Sequence, residues 1–328
     1  MDKKPLKRQL KSILRWVGWV LLVQFVLINI SASLYAFKLT HFYTNHPEES
    51  TSEGGNIFTK SWKLFTGPRY GKSVISEVPV FRYDTVTLET KKGIRIDAWY
   101  GQTDSVSKGT VILFHGIGVT KSVLMDEANE FRFGGYQVLM VDFRAHGNSD
   151  GNTTTIGVRE TEEVKLAFDY ISAKGEKNIF LYGSSLGAVA IAKAVSDQQL
   201  QPRGIILEMP FESLQSYLKG KARVLGFPKQ PFAVLTTFWI GIERGFNGFK
   251  HKTTRYAKNI HCPVLLQWGT LDHLVLKDET NRIYDALAST SKKLVIYEGA
   301  EHESFLRKDP LKWRIEVERF LSLNGQTH

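Results

Sequence analysis

Gly183-Ser184-Ser185-Leu186-Gly187 stands between an apolar run, Asn178-Ile179-Phe180-Leu181-Tyr182, and an alanine-rich run from Ala188 to Ala194. Strand, G-x-S-x-G, helix is the arrangement of a nucleophile elbow. A serine hydroxyl is a weak nucleophile unless it is exposed, strained and set beside a base. A tight turn pushes the side chain out of the chain path, and flanking glycines let strand and helix cross closely. The helix N-terminus leaves the Leu186 N–H free to receive a developing oxyanion. A plain glycine-serine turn between a buried strand and a buried helix reads the same locally, so the rest of the chain has to decide.

The 328 residues suffice for one large α/β domain with additions, and 42% hydrophobic against 23% charged residues implies a packed core. The net charge of +10 is concentrated: residues 1–40 hold seven basic residues against Asp2, a net of +6, leaving +4 for the rest. That remainder is an ordinary surface, and no zinc-finger, RNP or basic-helix pattern accompanies it, so no nucleic-acid partner is expected. Cys262 is the single cysteine. It has no partner for an internal disulfide and is expected to be a buried thiol.

Trp16 to Phe37 is a run of 22 residues without Asp, Glu, Lys or Arg. As a helix rising about 1.5 Å per residue it would cross the roughly 30 Å hydrocarbon core. Gln24, Asn29 and a few serines are its polar members, and Trp16, Trp19 and Tyr35 lie near its ends. The basic cluster before it puts the N-terminus in the cytoplasm and the rest of the chain on the other side. A cleaved signal peptide is the competing reading, with Ser31-Ala32-Ser33 as the small-residue site. The expected division is therefore an anchor over 1–37, a linker and membrane-proximal segment over 38–79, and a catalytic domain over 80–328. Within the linker, residues 46–56 read as a flexible polar spacer. Gly67 to Ser73 looks like a phosphate loop, but three residues separate its glycines where four are needed, so nucleotide binding is not expected.

From Val80 onward strands and helices alternate. Thr85–Leu88 and Ile94–Tyr100 read as a hairpin, followed by strands at Thr110–Phe114, Gln137–Phe143, Gly204–Leu207, Pro263–Trp268 and Leu294–Tyr297 around the elbow strand. Helices are expected over 122–133, 159–173, 279–288 and 311–323. Continuous apolar strands separated by amphipathic helices imply a mostly parallel sheet covered on both faces. Sites in such sheets form at the carboxyl ends of strands. There stand Asp272, after the strand ending at Trp268, and His302, after the strand ending at Tyr297. His302 would take the Ser185 proton and Asp272 would hold its tautomer. The second oxyanion donor is expected just after His115-Gly116, at Ile117 N–H. His115, His146 and Asp142 are expected to order their loops, and His273 is the rival base.

The chain order Ser185, Asp272, His302 is that of the α/β hydrolases. With F-H-G-I-G (114–118), D-F-R-A-H-G-N-S-D-G (142–151), G-S-S-L-G (183–187), C-P-V-L-L-Q-W-G-T-L-D (262–272) and G-A-E-H (299–302), the sequence resembles that superfamily in its monoacylglycerol-lipase and serine-aminopeptidase-like branch. The resemblance implies an α/β-hydrolase fold over about Val80 to the C-terminus, with a cap insertion over about 212–259. It implies a serine hydrolase acting on a small acyl substrate: a carboxyl ester, lipid-derived esters included, with peptidase and thioesterase chemistry as alternatives. An inactive membrane-anchored binding protein is the alternative of another class. No cofactor is expected, because no metal-ligand spacing or dinucleotide fingerprint appears. The apolar cap stretch Phe227 to Ile242 reads either as the cap's own core or as a wall for an acyl chain.

Overall fold

The structure is a computed structural model that describes residues 4–44, 57–103, 106–226 and 228–325; the spacer at 46–56 lies outside them. The chain opens with one long helix, α1 (Lys4–Leu39), then a short strand β1 (Phe42–Tyr43), a helix α2 (Ile57–Thr66) and a strand β2 (Tyr70–Gly71) that pairs with β1 in parallel. The main sheet begins with the antiparallel hairpin β3 (Tyr83–Glu89) and β4 (Arg95–Gly101), whose turn ends on Gly93 at φ +75°. Strands and helices then alternate through β5 (Thr110–Phe114), α3 (Met125–Phe133), β6 (Gln137–Val141), α4 (Thr161–Ala173), β7 (Ile179–Ser184), α5 (Leu186–Gln198) and β8 (Gly204–Glu208). The cap insertion contributes α6 (Leu214–Val224), α7 (Phe232–Arg244) and α8 (Thr253–Ala257). Strand β9 (Val264–Gly269), α9 (Lys277–Ala286), β10 (Lys292–Tyr297), α10 (Phe305–Lys308) and α11 (Pro310–Asn324) complete the chain.

The eight strands lie in the order β10-β9-β8-β7-β5-β6-β4-β3, and the six from β5 to β10 run parallel. The order reverses at β5, which sits between β6 and β7, and a crevice opens at the carboxyl ends there. In register, Phe114 faces Gly183, so the loop after β5 starts level with the elbow. The apolar runs are unbroken because both faces are buried. On β5, Val111 and Leu113 pack with Phe131 and Trp313 on one face. Ile112 and Phe114 pack with Val164 and Ile191 on the other.

Two expected helices shift for local reasons. The one read over 279–288 begins at Lys277, because the Glu279 carboxylate accepts the Leu276 N–H (3.1 Å) and caps it there. The one read over 122–133 divides into a 3-10 turn, Lys121–Leu124, and α3. At that turn Lys121 points inward. It is fully buried, with Nζ between the carboxylates of Asp97 and Asp142 and 4.3 Å from the centre of the Trp99 ring.

Helix α1 has two environments. Residues 8–28 are exposed throughout, and the helix from Arg8 to Leu39 as a whole is long and apolar enough to cross a membrane. Its last turns bury Ala32, Tyr35, Ala36 and Leu39 against the domain. Trp239 Nε1 donates to Asn29 Oδ1 (3.3 Å), Ser33 Oγ to Glu243 Oε1 (3.0 Å) and Arg244 Nε to Thr40 Oγ1 (2.7 Å). Asn29 and Ser33, two of the polar residues that interrupt the apolar run, thus sit at its contact with α7.

Lys121→Met should cost about 3–5 kcal/mol of unfolding free energy, because it strands buried carboxylates without their cation. Denaturant titration measures this. A loss no larger than that of a surface substitution would mean the cluster is not electrostatically coupled.

Candidate active site

Ser185 stands between β7 and α5, capping the helix, with φ +52° and ψ −107°, a conformation that favours glycine. Strand and helix cross so closely that a Cβ on Gly183 would lie 2.6 Å from the Ala188 nitrogen, and one on Gly187 would strike the Phe114 carbonyl. The Ser185 N–H donates to the Glu208 carbonyl (2.8 Å), which fixes the elbow to β8.

The structure brings the three expected side chains together. Asp272 is buried, and its Oδ1 accepts the N–H groups of Leu274 (2.7 Å) and Val275 (2.8 Å). Its Oδ2 is left for His302, whose Nδ1–H donates to it at 2.7 Å. That tautomer leaves Nε2 to accept from Ser185 Oγ at 3.0 Å. The two loops are tied together, since Gly299 N–H donates to Thr270 Oγ1 (2.9 Å) and Leu271 N–H to the Ala300 carbonyl (2.8 Å). His273 is exposed and makes no contact with Ser185, its carbonyl instead accepting from Arg223.

Facing the elbow, Ile117 lines the same cavity as Ser185 and His302, a space of about 360 Å³. Among the described residues, neither Leu186 N–H nor Ile117 N–H donates to another group of the protein. The loop that carries Ile117 is held by two buried histidines. His115 Nδ1–H donates to the Gly116 carbonyl (2.6 Å) while its Nε2 accepts Phe143 N–H (3.1 Å). His146 Nε2 accepts Gly118 N–H (3.0 Å) while its Nδ1–H donates to the Arg144 carbonyl (2.8 Å). Burial pushes His115 down to about 4 and His146 down to about 3, so both are neutral and each nitrogen keeps its role. Asp142 completes the brace by accepting Lys121 N–H (2.7 Å) and Asn148 N–H (3.1 Å).

Two acids in this wall were not singled out from the sequence. Glu208 takes the Trp313 Nε1–H on its carboxylate (2.8 Å), and burial, with Glu127 beside it, pushes its pKa up to about 8. Glu127, raised by burial as well, accepts from Ser304 Oγ (2.5 Å) and so anchors the loop of His302 to α3. The readable signal was a carboxylate closing an apolar strand, Gly204-Ile205-Ile206-Leu207-Glu208.

Among the described residues of the cap's apolar stretch, none lines the cavity, which corrects the acyl-wall reading of Phe227 to Ile242; Phe227 itself lies outside the described residues. Trp239 bonds α1, Phe238 is exposed, and the cavity takes its apolar lining from Ile117, Val123, Leu124, Met209, Tyr217 and Leu274. A larger groove of about 610 Å³ between α3 and α11 holds none of the three catalytic candidates. Gly67 to Ser73 has no strand-to-helix turn of a phosphate loop; Lys72 Nζ instead donates to the Ser149 carbonyl (2.5 Å). Burial pushes the Cys262 thiol up to about 12.

The family described as serine aminopeptidase, S33, matches residues 105–240 and 240–309, more than half of the chain. The chain belongs to this family. It is an α/β hydrolase, as its sheet and elbow require. An uncharacterized protein of Mycobacterium tuberculosis is 26% identical over 81% of this chain and 89% of its own length. The lysophosphatidylserine lipase ABHD12 of Xenopus tropicalis is 24% identical over 58% of this chain and half of its own. Among solved structures, the Pyrococcus furiosus esterase Pf2001 superposes with a TM-score of 0.67 at 24% identity, covering 78% of this chain and 98% of that one.

The neutral histidines set a pH limit. The unfolded chain protonates them near 6.5, whereas the folded chain resists until about 4 and 3. Their contribution to stability is therefore complete above 6.5 and lost as pH falls through that window. His146→Gln keeps an acceptor for Gly118 N–H and should make the acid loss shallower. His146→Leu removes the acceptor and should lower kcat by about tenfold to a hundredfold with little change in KM. Equal kcat for the two variants at neutral pH would detach His146 from the loop's geometry.

Proposed function

We propose that the protein is a serine hydrolase that cleaves a carboxyl ester through an acyl-enzyme on Ser185. The observation that carries this reading is the relay from Ser185 through His302 to Asp272, facing two unused backbone N–H groups. Ser185 Oγ attacks the ester carbonyl as His302 Nε2 takes its proton. The negative charge that develops on the carbonyl oxygen is met by Leu186 and Ile117 N–H. The C–O bond then breaks, and His302 returns the proton to the leaving alcohol. A water activated by the same nitrogen releases the acid, while Asp272 stabilises the imidazolium at each stage. This mechanism uses no cofactor.

The exposed apolar length of α1 and the lipase among the relatives support a lipid-derived ester. Peptidase action is the second reading, favoured by the family's description. The basic residues at the start of α1, ahead of its apolar run from Trp16, support a cytoplasmic N-terminus with the hydrolase domain on the other face of a membrane.

Ser185→Ala should abolish turnover and fluorophosphonate labelling without loss of fold. Label retained on Ser184 would move the nucleophile. For acyl esters of graded length, kcat/KM should rise by up to about fourfold per methylene, from roughly 0.8 kcal/mol for each buried CH₂. The rise should shrink in Leu274→Ala, a residue that lines the cavity. A flat series, or cleavage confined to aminoacyl amides, would favour the peptidase reading. Protease added to intact cells or spheroplasts should digest the domain; protection would invert the topology.

A further inference from the structure

Helix α1 is not joined to the hydrolase domain by a free tether. Beyond its contacts with α7, Ser31 Oγ donates to the Phe65 carbonyl (2.5 Å), and Lys38 Nζ donates to Thr66 Oγ1 and the Gly67 carbonyl (2.7 Å each). Both α2 and α7 therefore pack against α1 where its exposed stretch, residues 8–28, enters the domain. Each of these helices turns a pair of large apolar side chains outward. On α2 they are Phe58 (79% exposed) and Trp62 (63%), and on α7 they are Phe238 (45%) and Ile242 (61%). Each pair is spaced i, i+4 and so forms a stripe along one face. Two such stripes in water would be a liability, and both lie on helices that pack against the end of α1. Aromatic rings and amphipathic helices belong at the level where a spanning helix leaves the hydrocarbon.

We propose that α2 and α7 form a seat on the bilayer crossed by α1, with Phe58, Trp62, Phe238 and Ile242 entering the headgroup region. The proposal rests on reading α1 as a membrane span. It makes the hydrolase domain lie on the membrane in one orientation, its angle fixed by the packed end of α1. The site is coupled to this seat, because α6 packs on α7 and supplies Tyr217 and Lys221 to the cavity of Ser185. A hydrophobic ester then reaches the cavity from the lipid surface to which that wall is attached.

The test uses the full chain in phosphatidylcholine vesicles, with Cys262→Ser as background and single labels introduced by Trp62→Cys, Phe238→Cys and Lys177→Cys. Lys177 is exposed just before β7, at the opposite end of that strand from the elbow. Lipids bearing a nitroxide near the headgroup should quench the labels at 62 and 238 about twofold and leave the label at 177 unchanged. In parallel, Trp62→Ser combined with Phe238→Ser should slow hydrolysis of a vesicle-borne ester about tenfold and leave a soluble short-chain ester unaffected. Equal quenching at all three positions, with the protein still resistant to alkaline carbonate extraction, overturns the seat and leaves the anchor standing. Release by carbonate overturns both. Label-to-label quenching that rises with the protein-to-lipid ratio, without nitroxide quenching, assigns the stripes to a second copy of the chain and overturns the seat.

Discussion

The backbone of Ser185, held at positive φ, is the constraint on which the site depends. A non-glycine residue in that region costs on the order of 1–3 kcal/mol and persists only where its surroundings over-determine it. Here its N–H is committed to the Glu208 carbonyl and its carbonyl to the N–H of Val189, so strand and helix both hold it. The glycines at 183 and 187 permit the crossing, because any Cβ there would meet the backbone of α5 or β5. The side chain is thereby lifted toward His302, and the Leu186 N–H is left without a partner beside it. On the proposed mechanism, one strained turn thus presents both the attacking oxygen, at Ser185, and one receptor for the charge that its attack creates, the Leu186 N–H.

The opposite wall is rigid for an electrostatic reason. Charge is sealed in two places, Asp142 with Lys121 behind the loop and Asp272 behind His302, and each carboxylate is satisfied by backbone N–H groups as well as by its partner side chain. Between them lie His115 and His146, fully buried and neutral. Neutral imidazoles donate from one nitrogen and accept at the other, which lets each join two backbone segments without adding charge near a developing oxyanion. Glu208, raised by burial, likewise stays protonated below about 8 beneath the elbow. The field at the reacting carbonyl is then set by backbone N–H groups and by the His302–Asp272 pair.

Much of this was legible in the sequence because it depends on order along single elements. Unbroken apolar strands announced a doubly covered sheet, and a chemically competent side chain just past a strand's carboxyl end announced a crevice. Ser185, Asp272 and His302 each stood in such a place, and the structure brings them together. What could not be read was which element covers which. The stretch from Phe227 to Ile242 declared itself apolar, yet periodicity does not say whether its neighbour is a ligand, a helix or lipid; in the fold, Trp239 meets Asn29 of α1. Asn29 and Ser33 looked like imperfections in a membrane span until their partners on α7 appeared. Nothing in the sequence singled out Lys121, because its two carboxylates come from β4 and from the end of β6.

The use of the cap to hold α1 has a consequence for where specificity resides. A helix that packs on α1, buries Ala233 and Ile240 in the domain core and turns Phe238 and Ile242 outward does not also line the cavity. The substrate wall must then come from the loops of the sheet and from α6. It does so: Ile117 and Val123 follow β5, Met209 follows β8, Leu274 follows β9, and Tyr217 comes from α6. All but Met209 and Tyr217 are carried by the segments proposed to carry the relay or the oxyanion donors. Altering the acyl pocket therefore disturbs the geometry of reaction more readily than in an enzyme whose pocket belongs to an independent lid. Altering α7 instead changes how the domain meets α1. On the proposed function, the insertion's share of the substrate wall falls to α6 and the hold on α1 to α7, with the packing of α6 on α7 as their physical link.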